Sequence, residues 1–205
     1  MILLPEKIGV VGFQGDVSEH VDIINSIRKR GGIDVEAVEV RKPEKLDGVS
    51  GIIIPGGEST TIYKLTQNYG IYGRIKAMAN DGVPVMGTCA GLILISRETN
   101  DERVPGMGIL DTEIKRNAYG RQINSFIENI IIDEIGEFQA VFIRAPVISS
   151  PGRSRVMARR GDEIVMVRQE NIIGMTFHPE LTRDTRIHEY FLGLMEREGY
   201  ISSGR

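Results

Sequence analysis

One cysteine occurs in the 205 residues, and its setting suits a nucleophile. Gly87-Thr88-Cys89-Ala90-Gly91 follows the apolar run Pro84-Val85-Met86 and precedes Leu92-Ile93-Leu94. That is the order of strand, sharp turn and helix that lifts a central side chain into a cleft. The flanking glycines fit a turn with no room for side chains. The following helix aims its N-terminus at the sulfur and favours thiolate. The Ala90 N–H is then available to a developing oxyanion. A small buried thiol in a glycine-rich turn is the plainer alternative.

A thiol nucleophile needs a base, and the chain offers three histidines. His20 falls in a helical stretch and reads as solvent-facing. His188, close to Arg186 and Glu189, reads the same way. His178 differs, because it follows the apolar run 172–177 and so stands at the carboxyl end of a strand. Pro179 biases His178 toward an extended backbone, in which residues two apart project to one side. Glu180 is thereby placed to accept the second ring proton, fix the tautomer and stabilise an imidazolium. A loop histidine next to a surface glutamate is the alternative. One cysteine and scattered histidines give no metal-ligand spacing, so neither a metal nor a cofactor is expected.

Pro55-Gly56-Gly57-Glu58-Ser59-Thr60-Thr61 follows another buried strand. Its glycines allow close approach of backbone to a ligand, and an N–H here can act as a second oxyanion donor. Glu58 can pair with a substrate ammonium, while Ser59 or Thr60 can cap the next helix. The spacing is not that of a phosphate-binding P-loop.

The elements that must position these groups follow from periodicity. Strand-like runs at 7–13, 35–40, 51–54 and 84–87 alternate with helical runs beginning at Val17, Ile71 and Ala90. In the first helix Val17, Val21, Ile24 and Ile27 recur at helical spacing, with Asp16 or Ser18 as N-cap and Arg28-Lys29-Arg30 before Gly31-Gly32 as its end. This βαβ alternation implies a parallel sheet covered by helices, with ligands at the carboxyl ends of its strands. Further strand signals at 109–114, 125–132, 137–143, 155–158, 163–167 and 172–177 add an antiparallel part, and 185–198 closes the chain as an amphipathic helix. The expected fold is α/β, three-layered, with a mostly parallel central sheet and added antiparallel strands, in one domain over 1–205.

Composition narrows the class. Hydrophobic residues are 41% and charged residues 26%, which is ordinary for a globular chain and excludes disorder or coiled coil as the main architecture. The formal charge of −3 gives no sign of a nucleic-acid or membrane-surface partner. No apolar run reaches the ~20 residues of a membrane span, and the start lacks a basic segment and small-residue cleavage site. A cytoplasmic enzyme or binding module is expected.

With these residues in place the chain resembles class I glutamine amidotransferases, which implies a flavodoxin-like sheet. Longer strings are similar to one family among them, the glutaminase subunits of pyridoxal 5′-phosphate synthase. They are Gln14-Gly15-Asp16, the 55–61 and 87–93 loops, Arg116-Asn117-Ala118-Tyr119-Gly120-Arg121-Gln122, Phe142-Ile143-Arg144-Ala145-Pro146 and Phe177-His178-Pro179-Glu180-Leu181-Thr182. The resemblance implies that Cys89 attacks the carboxamide of L-glutamine, that His178 moves the proton to leaving ammonia, and that Glu180 orients His178. It implies oxyanion N–H groups at Gly57 and Ala90, and glutamine contacts at Gly57, Glu58, Ser59, Arg116, Ile143 and Arg144. An arginine suits the α-carboxylate because guanidinium binds carboxylates bidentately; by residue type alone Arg116 and Arg121 are equal candidates. The implied partner is a (β/α)₈-barrel synthase subunit that receives the ammonia, with Gln14 expected at the contact. A glutaminase of another pathway, such as histidine biosynthesis, and a non-catalytic partner-binding module are the alternatives.

Overall fold

The computed structural model describes residues 5–30, 33–116, 125–197 and 199. Its elements run β1 (Glu6–Val11), α1 (Val17–Lys29), β2 (Val35–Val40), β3 (Val49–Ile54), α2 (Ser59–Asn68), α3 (Ile71–Asn80), β4 (Val85–Thr88), α4 (Ala90–Ile95), β5 (Ser96–Thr99) and β6 (Leu110–Lys115). They continue with β7 (Ser125–Ile132), β8 (Gly136–Ile143), β9 (Val147–Ser150), β10 (Arg155–Arg160), β11 (Glu163–Gln169), β12 (Ile172–Met175) and α5 (Arg186–Arg197).

The strands form one sheet in the order β2-β1-β3-β4-β12-β11-β10-β7-β8, with β5, β6 and β9 joined beside β11. The first five are parallel, and β12-β11-β10-β7-β8 continue antiparallel. This is the expected α/β sheet with antiparallel additions, except that β12, expected among the antiparallel strands, runs parallel to β4 and extends the parallel part. The short strands β5 and β9 were not expected. Each spans four residues, too few for an alternating pattern to stand out.

Side-chain alternation along a strand explains the layers. On β3, Ile53 packs into one apolar cluster while Ile52 and Ile54 pack into the other. The Ile53 side holds Ile23, Ile24 and Ile27 of α1 with Ile187, Phe191 and Met195 of α5. The opposite side holds Ile62 of α2, Ile71 and Ile75 of α3, and Leu92 and Leu94 of α4. Truncating any of these fully buried side chains to alanine costs about 2–5 kcal/mol by cavity formation. No helix among the described residues is long and apolar enough to cross a membrane.

Four adjacent strands, β1, β3, β4 and β12, end on the same edge. Just beyond them lie Asp16, Gly57, Cys89 and His178 respectively. The parallel order of this part of the sheet thus collects four distant segments at one rim. The carboxyl end of β8 is drawn to the same rim by a bond from the His178 N–H to the Val141 carbonyl, 2.8 Å.

Candidate active site

Cys89 sits between β4 and α4 with φ 48° and ψ −101°, a conformation costly for a residue with a Cβ and held by its surroundings. Close packing provides them: a Cβ on Gly91 would come 1.9 Å from the Ile54 carbonyl oxygen, and one on Gly87 would come 2.8 Å from the Gly91 backbone. The turn is therefore the expected elbow. The helix behind it has only six residues, so its chief offering is the Ala90 N–H, one of the first-turn donors without an intrahelical acceptor. The Cys89 thiol is directed at the Ile143 carbonyl, 3.8 Å away.

His178 lies just past β12 and is buried. Its Nδ1 stands 2.8 Å from Glu180 Oε1 and 3.2 Å from Asp16 Oδ2. Its Nε2 is buried and has no hydrogen-bond partner among the described residues. Burial pulls this imidazole down, but Asp16, Cys89 and Glu180 outweigh it and push the pKa up to about 12. Burial pushes the Glu180 carboxyl up against the opposing pull of His178. The hydrogen bond to His178 holds Asp16 below the usual carboxylate range.

Asp16 is a member of this cluster that sequence reasoning placed only as a helix cap. It does occupy the N-cap position of α1, but its side chain makes no capping bond and faces His178 instead. Asp16, His178 and Glu180 bring potential ligand atoms within 4.8 Å of one another. Both carboxylates address the same ring nitrogen, Nδ1.

A cavity of about 310 Å³ opens over Cys89, at the small end of the range for ligand pockets. Gly57, Glu58, Ser59, Ala90, Arg116, Ile143, Arg144 and His178 all line it with Cys89. Arg116 is 11% exposed and pairs with Asp101, with Glu58 Oε1 3.8 Å from its Nη2. Its backbone N–H donates to Asn100 Oδ1. Arg144 is exposed, with φ 44°. Residues 117–122 of the arginine-rich string, Arg121 included, lie outside the described residues. Gln14 lies outside this cavity, in a neighbouring groove that shares Gly15 with it.

Three expectations need correction. The cap of α2 is neither Ser59 nor Thr60 but Glu58, whose carboxylate accepts from the Thr60 and Thr61 N–H groups at 3.0 and 2.6 Å. Those bonds, with the Thr60 and Thr61 hydroxyls, hold its pKa at about 2 despite the upward push of burial. His20 and His188 are not solvent-facing: each is 0% exposed. His20 shares a stripe with Ile23, Ile24 and Ile27, one helical step from the stripe that Val17 and Val21 suggested. His188 lies one turn from Phe191 and Leu192 on the buried face of α5, a placement its charged neighbours disguised.

A pyridoxal 5'-phosphate synthase subunit PdxT of Thermoplasma volcanium is 59% identical over 198 residues, covering 96% of this chain and 98% of the relative. The protein of the same name in Pyrococcus abyssi is 52% identical over 193 residues, 91% of this chain and 97% of the relative. A crystal structure of a glutamine amidotransferase superposes with TM-score 0.84 at 43% identity, covering 92% of this chain and 98% of that one. The sequence profile of the SNO glutamine amidotransferase family matches residues 10–197, and the chain belongs to that family.

Proposed function

We propose that the chain hydrolyses L-glutamine to L-glutamate and ammonia, and passes the ammonia to a synthase subunit that makes pyridoxal 5′-phosphate. The observation that carries the chemistry is the 2.8 Å contact of His178 Nδ1 with Glu180 beside a cavity lined by the chain's one cysteine. The names of the relatives support the pathway.

In this reading the Cys89 proton already rests on His178 Nε2, as the raised pKa of the ring favours, and the sulfur attacks the carboxamide carbon. The N–H groups of Gly57 and Ala90 hold the oxyanion. As the tetrahedral intermediate collapses, the proton on His178 goes to the departing nitrogen, and ammonia leaves. Water then gives a proton to His178 and attacks the thioester, releasing glutamate and restoring the thiolate. Glu180 holds the tautomer and stabilises the imidazolium, and Asp16 adds a second carboxylate to that task. Arg116 and Arg144 supply positive charge for the α-carboxylate, while Glu58, Ser59 and Ile143 complete the wall. The setting is cytoplasmic, in keeping with a lone thiol and a near-balanced charge.

Docking of the synthase subunit acts on the oxyanion loop. Gly15 lies against Gly56, and Gly57 has φ 139°, a backbone that can present either face of its peptide. A partner resting on Gln14 and pressing the Gln14-Gly15-Asp16 turn selects the orientation that aims an N–H at the oxyanion. Titrating the pure subunit with the synthase subunit while measuring glutamate release tests this. Turnover is expected to rise by about 10²–10³, the worth of one oxyanion donor. Full activity of the free subunit, unchanged at saturation, contradicts the activation. No glutamate release under any condition contradicts the activity itself.

A further inference from the structure

Below the candidate site, away from the cavity, Glu180 meets two further buried imidazoles. His20 Nε2 is 3.4 Å from Glu180 Oε2, with both side chains 0% exposed. His20 Nδ1 is 2.9 Å from His188 Nε2. The order of contacts is therefore His188, His20, Glu180, His178, running from α5 through α1 to the candidate active site. The proposed mechanism uses only the last two.

We propose that His20 is a positioning residue for Glu180, donating its Nε2–H to Oε2, and that His188 sets the tautomer of His20 that makes this possible. The argument is one of donors and acceptors. An ionised carboxylate offers only lone pairs, and a neutral imidazole carries one N–H and one lone pair. Glu180 Oε1 is taken by His178, while Oε2 and His20 Nε2, 3.4 Å apart, are each without a hydrogen-bond partner among the described residues and are close enough to become one another's on a small shift. A buried carboxylate oxygen left without a donor is strongly disfavoured, so His20 Nε2 carries the hydrogen. His20 Nδ1 is then an acceptor and can be satisfied only if His188 Nε2 carries a hydrogen. The remaining atom, His188 Nδ1, is an acceptor without a partner, which costs less than an unmatched N–H. Both rings stay neutral in this arrangement, as full burial favours; burial is the first cause that pulls each below the ordinary histidine range. Glu180 is then gripped at both oxygens, and the ring of His178 is fixed relative to Cys89 through it.

The proposal rests on the reading of His178 and Glu180 as the acid–base pair, so its test has one arm that is independent of activity. In the unaltered chain, nitrogen NMR of labelled imidazole is expected to show His20 as the neutral Nε2–H tautomer at pH 7. An Nδ1–H tautomer, or an imidazolium, overturns the proposal whatever the enzyme's activity. The second arm uses the complex with the synthase subunit. His20→Leu is expected to lower kcat by about tenfold to a hundredfold, by analogy with the hydrogen-bond partners that orient metal-ligating side chains, with KM little changed. His20→Gln, whose amide can place an N–H near the same point, is expected to recover most of that loss. Wild-type kcat in a folded His20→Leu variant overturns the proposal, and so does an equal loss in the two variants. If His20→Leu does not fold, the tautomer decides alone. A failure of the acid–base reading shows separately, as ordinary hydrolysis by His178→Asn.

Discussion

Gly15 lies directly against Gly56. A Cβ on Gly15 would stand 1.7 Å from the Gly56 carbonyl oxygen, and Gly15 has φ 90°. The turn after β1 and the loop after β3 therefore cannot move independently. This contact links the groove that contains Gln14 to the backbone proposed to hold the oxyanion, and through Asp16 the same turn reaches His178.

Gly15→Ala tests that linkage. The added methyl forces Gly56 to shift and strains the backbone at once. Turnover in the complex is expected to fall by about 10²–10³ if an oxyanion donor is lost, with the chain still folded by circular dichroism. Unchanged kcat in a folded variant contradicts the coupling.

Glu180→Gln is expected to reduce turnover less than His178→Asn. The imidazole moves protons, whereas the carboxylate positions it, and Asp16 Oδ2 at 3.2 Å from Nδ1 remains. Asp16→Ala is expected to have the smallest effect of the three, and combined with Glu180→Gln to cost more than the sum of their separate effects. Steady-state kinetics on the complex measures this; a loss at Glu180 equal to that at His178 contradicts the division of roles.

How much of this was legible in the chain depends on distance along it. Cys89 stood out because it is unique and flanked by glycines. Glu180 was legible because it is two residues from His178, within reach of a local extended segment. Asp16, His20 and His188 were not, because their contacts join segments far apart in sequence, His20 and His188 by 168 positions. The alternation of strands and helices gave β1 to β4 of the parallel part, where β3 and β4 are buried on both faces, but not the parallel placement of β12. It did not give β5 and β9. Nor did it reveal the capping by Glu58, a residue type outside the usual N-cap set.

The buried histidines also predict a pH dependence of stability. His188 has its pKa lowered to about 3 by burial, and His20 is lowered from 6.5 by burial and by its histidine neighbours. Below pH 6.5 the unfolded chain binds protons that the native one refuses, so stability falls as pH falls toward 3, by at most about 1.4 kcal/mol per pH unit for each site. His178 has the opposite sign: raised to about 12, it contributes stability that is complete below 6.5 and lost as pH rises toward 12. Denaturant midpoints measured between pH 4 and 6.5 are expected to drop with acidity, and His188→Phe is expected to flatten that slope. An equal slope in the variant contradicts the assignment.

Arg116→Lys is expected to raise the KM for glutamine about tenfold with a smaller change in kcat, because an ammonium cannot reproduce the two-pronged grip on a carboxylate. Initial rates across glutamine concentrations check this. A fall in kcat at unchanged KM would remove Arg116 from the proposed carboxylate site.

The central claim is that Cys89 is the nucleophile, and the rate of glutamate release by the Cys89→Ala variant in complex with the synthase subunit tests it most directly. The account predicts a loss of several orders of magnitude in a chain that still folds and docks. Retention of more than about a tenth of wild-type turnover would contradict it.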